Sequence, residues 1–331
     1  MKSNAKAGRD LVEVQFSRKE MQTDREKRSF FDYVILALKG FCMGASDVVP
    51  GVSGGTMAFV LGIYEELINA IKSFDLKSVQ FLATLKIRLL LNRISWQFLL
   101  AVGFGIFTAV FTLARVLGWL LQNTPVLVWS FFLGLILASV LSVSRRIEKW
   151  SPSACVCLLG GITGTYFLVG VVPVETPNTP WFLSLCGAVA ICAMILPGIS
   201  GSFMLVLLGK YQYILGAVNN RDFAVLALVA AGACVGIVAF SRLLGWLLGK
   251  YHDLMVAALI GLMLGSLRKV WPWKETVESL LDKNGNVIPL IQANILPEKW
   301  NGEVTTAIFL MLAGLAIVIL LDRLGGGSTR S

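Results

Sequence analysis

Residues 50–70 align without gaps on residues 197–217, an offset of 147, with identities at Pro50, Gly51, Ser53, Gly54, Met57, Leu61, Gly62, Tyr64 and Ala70. Nine identities in 21 positions are too many for shared hydrophobicity alone, so the chain writes one structural unit twice. Two further matches follow at an offset of 127: Arg115-Val-Leu-Gly-Trp-Leu-Leu121 on Arg242-Leu-Leu-Gly-Trp-Leu-Leu248, and Gly134-Leu-Ile-Leu-Ala-Ser139 on Gly261-Leu-Met-Leu-Gly-Ser266. The shortfall of 20 residues falls in the basic stretch after Lys72.

Both copies belong in lipid. With 331 residues, 56% hydrophobic and only 15% charged, and a mean hydropathy of +0.74, the chain cannot cover a water-soluble globule with polar groups. Six segments reach or approach the roughly 20 apolar residues of a spanning helix: 96–121, 126–143, 154–172, 223–248, 254–270 and 305–321. Two more apolar regions, 30–72 and 181–218, are interrupted midway by Pro and Gly, leaving a short arm on either side of each break. Broken backbone at membrane depth survives only when buried in protein or lining a cavity, which is the pattern of a re-entrant hairpin.

Each repeat thus holds one hairpin and three spans, and an odd number of crossings turns the second copy upside down. The expected fold is an all-α polytopic membrane protein with inverted-topology repeats, six spanning helices and two re-entrant hairpins. Its parts are a basic cytoplasmic tail (1–29), a first repeat (30–173), a second repeat (174–324) and a flexible C-terminal tail (325–331). The +9 net charge is spread over the tail and the loops rather than gathered on one face, which excludes a nucleic-acid surface and fits the positive-inside rule. The tail, the 72–95 loop, the 144–150 loop and the 249–253 turn carry the excess, so this side is read as cytoplasmic, with both termini there. Arg268 and Lys269, at the outer end of the fifth span, run against the rule.

The chemistry concentrates at the two Pro-Gly-x-Ser-Gly tips. Ser53, Gly54, Gly55 and Thr56 in the first tip, and Ser200, Gly201 and Ser202 in the second, could present backbone N–H groups and hydroxyls to one anion; alternatively they only shape the bend and satisfy its backbone. Arg115 and Arg242, at matching positions inside spans, are either phosphate ligands or snorkelling side chains and internal ion pairs. Asp47, Glu65 and Glu66 have no acidic counterparts in the second copy, where Met194, Gln212 and Tyr213 stand; they are candidates for ion coupling or simply helix-end acids. His252, the sole histidine, reads as interfacial, and Trp119, Trp129, Trp181, Trp246, Trp271 and Trp273 fall near span ends as anchors do. The six cysteines lie in apolar stretches without metal-ligand spacing, and neither a metal nor a cofactor is expected.

The segments Gly44-Ala-Ser-Asp47-Val-Val-Pro50-Gly-Val-Ser-Gly-Gly-Thr56 and Leu196-Pro-Gly-Ile-Ser-Gly201 resemble the bacterial and archaeal polyprenyl-phosphate translocases, and the resemblance runs from about residue 30 to 321. It implies a flippase in the inner membrane that returns undecaprenyl phosphate from the outer to the cytoplasmic leaflet for envelope polysaccharide synthesis. Undecaprenyl pyrophosphate phosphatases share a Pro-Gly-x-Ser tip, but there an Arg follows the Ser, where Gly54 and Gly201 stand here, and no histidine lies near either tip. A small-anion transporter is the third reading.

Overall fold

The computed structural model describes residues 28–48, 53–74, 94–171, 176–281, 287–297 and 299–325, with scattered positions between 78 and 91. The tail before residue 28, Pro50-Gly51-Val52 of the first tip, and the tail after residue 325 lie outside the described residues. The helices are α1 (Phe30–Val48), α2 (Gly54–Val60), α3 (Tyr64–Lys72), α4 (Trp96–Asn123), α5 (Pro125–Ser144), α6 (Pro152–Leu168), α7 (Pro180–Ile195), α8 (Gly201–Leu207), α9 (Tyr211–Asn219), α10 (Phe223–Lys250), α11 (His252–Val270) and α12 (Gly302–Gly325). Proline opens α5, α6 and α7, where a missing N–H costs nothing. Ser151 caps α6 by accepting from the Ala154 amide, and Asp222 caps α10 by accepting from Val225.

Each broken region contains three helical pieces rather than the two arms expected from the sequence. Besides the Pro-Gly tip there is a second break, at Gly62 in one copy and Gly209 in the other, with φ of 71° and 62°. In the first, Ile63 N–H returns to the Ala58 carbonyl (3.0 Å) and Gly62 N–H to Phe59 (3.2 Å); in the second, Lys210 returns to Leu205 (2.8 Å) and Gly209 to Val206 (2.9 Å). These paired bonds form a Schellman ending, whose left-handed residue glycine adopts without a Cβ penalty. In the second copy α8 and α9 meet at 109°.

Four long pairs organise the molecule: α1 on α4, α7 on α10, α5 on α12 and α6 on α11. Each is set by glycine against a facing carbonyl. A Cβ on Gly105 would stand 2.0 Å from the Ala37 oxygen, and one on its repeat partner Gly232 would stand 1.7 Å from the oxygen of Ser184, the partner of Ala37. In the other two pairs, Gly134 meets Met311 where Gly261 meets Leu158, and Gly314 meets Phe131 where Gly161 meets Ala258. Leu158 to Met311 and Gly161 to Gly314 both differ by 153, so the repeat extends through α6 and α12, and each half packs its last long helix on the other half. Small residues that let backbones touch are how helices associate where the solvent is itself apolar. Gly232→Ala is expected to cost about 2 kcal/mol through backbone displacement, seen as a lowered Tm of the purified protein, whereas Gly118, with open space at its Cβ, should tolerate alanine.

Among the described residues, four helices are long and apolar enough to cross a membrane: α4 (over Trp96–Leu113), α5, α10 and α12 (over Gly302–Leu320), or five crossings if the bent α8–α9 pair counts as one. The expected spans at 154–172 and 254–270 do not meet that test. The α6 helix is apolar but stops at 17 residues. The α11 helix carries His252, Asp253, Arg268 and Lys269 at its ends, and its middle, with Val256, Ala257, Leu259, Ile260 and Met263 all buried, faces protein instead of lipid. Peripheral helices show the opposite face: Phe104, Phe107 and Phe111 of α4 are all more than 60% exposed, an apolar stripe suited to lipid. Among the described residues the fold is all-α except for one element not anticipated, an antiparallel hairpin of β1 (Lys274–Leu281) and β2 (Val287–Asn294) in the segment between α11 and α12.

The basic segments collect at one end. Arg28 forks onto Glu66 (2.7 and 2.9 Å), Glu65 faces His252 (3.6 Å), and Asp253 accepts from the amides of Glu148 (3.2 Å) and Lys149 (3.1 Å). The end of α12 joins them, since Asp322 accepts from Ser142 (2.7 Å) and pairs with Arg145 (3.7 Å). Residue 28 and residue 322 are therefore at the same end.

Candidate functional site

The described part of the first tip, from Ser53 onward, is held by side chains of its own repeat. Ser53 caps α2, accepting from Gly55 N–H (3.1 Å), and the Asp47 carboxylate at the end of α1 accepts from Gly54 N–H (2.7 Å). Asp47 lies against Gly54 so closely that a Cβ there would stand 2.5 Å from Asp47 Oδ2. At the equivalent distance in the second copy, Gly201 meets the Met194 side chain instead, and no described residue accepts from its N–H. The Ser200 and Ser202 hydroxyls share a hydrogen bond (2.8 Å).

The two tips touch. Ser53 donates from its hydroxyl to the Leu196 carbonyl (3.0 Å), with the Met194 carbonyl at 3.3 Å, and Thr56 Oγ1 accepts from Gly198 N–H (3.0 Å). Gly55 admits this approach, because a Cβ would lie 2.5 Å from the Ile195 carbonyl oxygen. Ser53, Thr56 and Ser200 are buried, and buried hydroxyls on facing loops hold those loops in register at the cost of leaving polar groups stranded if they part. Of the residues singled out from sequence, the structure thus brings together Ser53, Gly54, Gly55, Thr56 and Asp47 with the second tip.

The others stand apart. Glu65 and Glu66 open α3 at the basic end, held by His252 and Arg28 respectively. His252 also meets Asp253 (3.4 Å), in a cleft of about 470 Å³ lined by Glu148, Lys149, Ser151, Lys250, Tyr251 and others. There the Lys149 amide, followed by that of Glu148, holds the Asp253 carboxyl below its ordinary range. Arg115 and Arg242 are exposed on the outer faces of α4 and α10, and neither makes an ion pair or hydrogen bond to a described residue. Arg115 shares its face with exposed Phe111 and Trp119, and Arg242 with exposed Trp246, an arrangement of guanidinium beside indole typical of the membrane interface. Sequence reasoning missed two features. One is the Asp47–Gly54 clasp, foreshadowed only by the seven-residue spacing across the tip; the other is a pair of lysines, Lys269 and Lys274, set among aromatic rings beside the second tip.

Residues 43–288 are matched by a family model described as undecaprenyl phosphate translocase-like. The chain belongs to that family. Among similar proteins, the polyprenyl-phosphate transporter of Vibrio cholerae is 40% identical over 298 residues, covering 88% of this chain and 97% of the relative. The polyprenyl-phosphate transporter of Staphylococcus aureus is 32% identical over 257 residues, covering 71% and 85% respectively. No solved structure matches the chain. The stretch matched to the translocase-like family contains both tips, Asp47, both arginines and the two lysines.

Proposed function

We propose that the chain is a transporter, not an enzyme, that carries a polyprenyl phosphate across the membrane, with undecaprenyl phosphate moving from the outer to the cytoplasmic leaflet of the inner membrane. The observation that carries this reading is the meeting of the tips through Ser53–Leu196 and Thr56–Gly198. Two glycine-rich loops from opposite halves converge where a headgroup would have to cross, and the names of the relatives supply the cargo. In this conformation the tips are closed on one another. The headgroup takes the place of these contacts, its oxygens accepting from the hydroxyls of Ser53, Thr56, Ser200 and Ser202 and from the amides of Gly54, Gly55 and Gly201, while the isoprenoid tail stays in lipid.

The inverted arrangement, with both broken regions re-entrant, has support from helix direction. The α4 helix starts at the basic end, where Tyr33 meets Gln97 (3.0 Å), whereas its repeat partner α10 finishes there beside His252. Positive charge gathered at that end, with both ends of the described chain, favours a cytoplasmic location for it. Arg115 then lies toward the outer leaflet and Arg242 toward the inner one. Each is assigned the role of meeting the headgroup at its own leaflet before or after passage between the tips, because a guanidinium fork matches phosphate oxygens.

The test is reconstitution of the full chain into liposomes with labelled undecaprenyl phosphate, following leaflet transfer and phosphate release in parallel. Transfer without release is the expected result; release, or no transfer, overturns the reading. Arg115→Ala with Arg242→Ala is expected to slow transfer roughly tenfold or more with the folded fraction unchanged, and full transfer by the double variant removes the arginines from the path.

A further inference from the structure

Lys269 ends α11 and Lys274 begins β1, at the end of the molecule opposite the basic segments. The hairpin fixes their relation. Lys274 pairs with Asn294 across the strands, Asn294 donates to the Arg268 carbonyl (2.9 Å), and Trp271 donates to the Ile295 carbonyl (2.8 Å), which pins the strands to the end of α11. The Lys274 ammonium donates to the Lys269 carbonyl (2.6 Å) and lies 4.4 Å from the centre of the Trp129 ring, while the Lys269 ammonium lies 5.3 Å from the Phe203 ring.

Both lysines are partly buried and close enough to repel one another, yet no described carboxylate pairs with either. Glu275, next along the strand, projects to the opposite side of the pleat and is exposed. Ring faces offset only part of the cost of drawing two ammonium groups out of water beside each other. Burial, followed by the neighbouring Lys269 charge, pushes the Lys274 ammonium down to about 7. Two partly buried ammonium groups with no described carboxylate partner thus stand side by side here, where the arrangement calls for an anion.

Two placements identify that anion. Phe203 follows directly on Ser202 of the second tip, so the lysines overlook the tip on which the carrier reading rests. Trp129, Trp271 and Trp273, the last two with ring centres 5.8 Å apart, ring the site as indoles do at headgroup depth. We propose that Lys269 and Lys274 form a docking site for a phosphate monoester at the outer face, from which the headgroup passes to Ser200–Ser202. This inference rests on the carrier reading and adds its receiving station.

The test uses the full chain in nanodiscs, with a short-chain polyprenyl monophosphate, its uncharged polyprenol and inorganic phosphate as the three probes. Lys269→Gln with Lys274→Gln is expected to weaken binding of the lipid phosphate about 100-fold, tenfold for each ammonium, and to leave polyprenol binding unchanged; Lys→Arg at both positions retains most of the affinity. In the unsubstituted protein, lipid phosphate should shield Lys274 from amine acetylation at pH 7, a readout that needs no variant to fold. Binding unaltered by the double Gln change, or no shielding, overturns the docking site and leaves the carrier intact. Failure of the unsubstituted protein to bind lipid phosphate at all overturns both. Shielding by inorganic phosphate at equal concentration, without preference for the lipid, overturns the assignment of a lipid headgroup.

Discussion

Asp47→Asn should leave the protein folded and reduce lipid-phosphate transfer at least tenfold. The asparagine side chain has the same shape and still offers Oδ1 to the Gly54 amide, which lies 2.7 Å away. What it loses is the negative charge, and a charge-assisted bond is about twice as strong as a neutral one, so the stability cost is about 1 kcal/mol. The charge matters for a different reason. Asp47 is the acid that occupies the Gly54 amide, and on the carrier reading a phosphate arriving at that amide would displace it. The second tip offers no counterpart, because Met194 stands there. A carboxylate that leaves the amide on protonation and returns on release would link headgroup passage to an ion movement, as intramembrane acids commonly do. Transfer rates in liposomes with and without an imposed pH gradient read this directly: the variant should be slow and indifferent to the gradient. Wild-type rates in Asp47→Asn would remove the acid from the cycle.

Gly55→Val should have the larger effect, abolishing transfer per folded molecule. Its Cβ would stand 2.5 Å from the Ile195 carbonyl oxygen and 3.1 Å from that of Met194, both rigid backbone. The loop of the second tip must retreat, parting Ser53 from Leu196 and Thr56 from Gly198. Overpacking of this kind costs about 1–3 kcal/mol, which a lowered Tm will show. Gly103→Val, in open space on α4, is the matched control and should transfer lipid normally. Normal transfer by Gly55→Val would mean that the contact between the tips is incidental.

Much of this architecture was readable from residue order. The 147-residue offset placed the tips, and the same alignment already contained Gly62 and Gly209, whose role as a second break went unseen. An isolated glycine inside an apolar run reads equally as tolerated helix, and only the return bonds to Ala58 and Leu205 distinguish an ending. Of the six expected spans, α6 falls short by length and α11 by the charged residues at its ends, so these two do not meet the length-and-composition test that the other four meet. The β-hairpin was hidden in a segment whose mixed charges read as a loop. Arg115 and Arg242 showed the opposite difficulty. Their repetition drew attention to them, yet spacing along a helix does not say whether a side chain turns inward or outward, and both turn outward. The Asp47 clasp and the lysine pair depend on chain segments that meet only after folding.

Gly134 against Met311 and Gly261 against Leu158 mean that neither copy of the repeat is self-sufficient. Severed at mid-sequence, each fragment would present a glycine seam with nothing to fill it. Wholesale rocking of one copy past the other would tear both seams at once. On the carrier reading, movement that exposes the tips first to one leaflet and then to the other would fall to the short jointed pieces around Gly62 and Gly209, working like paired elbows.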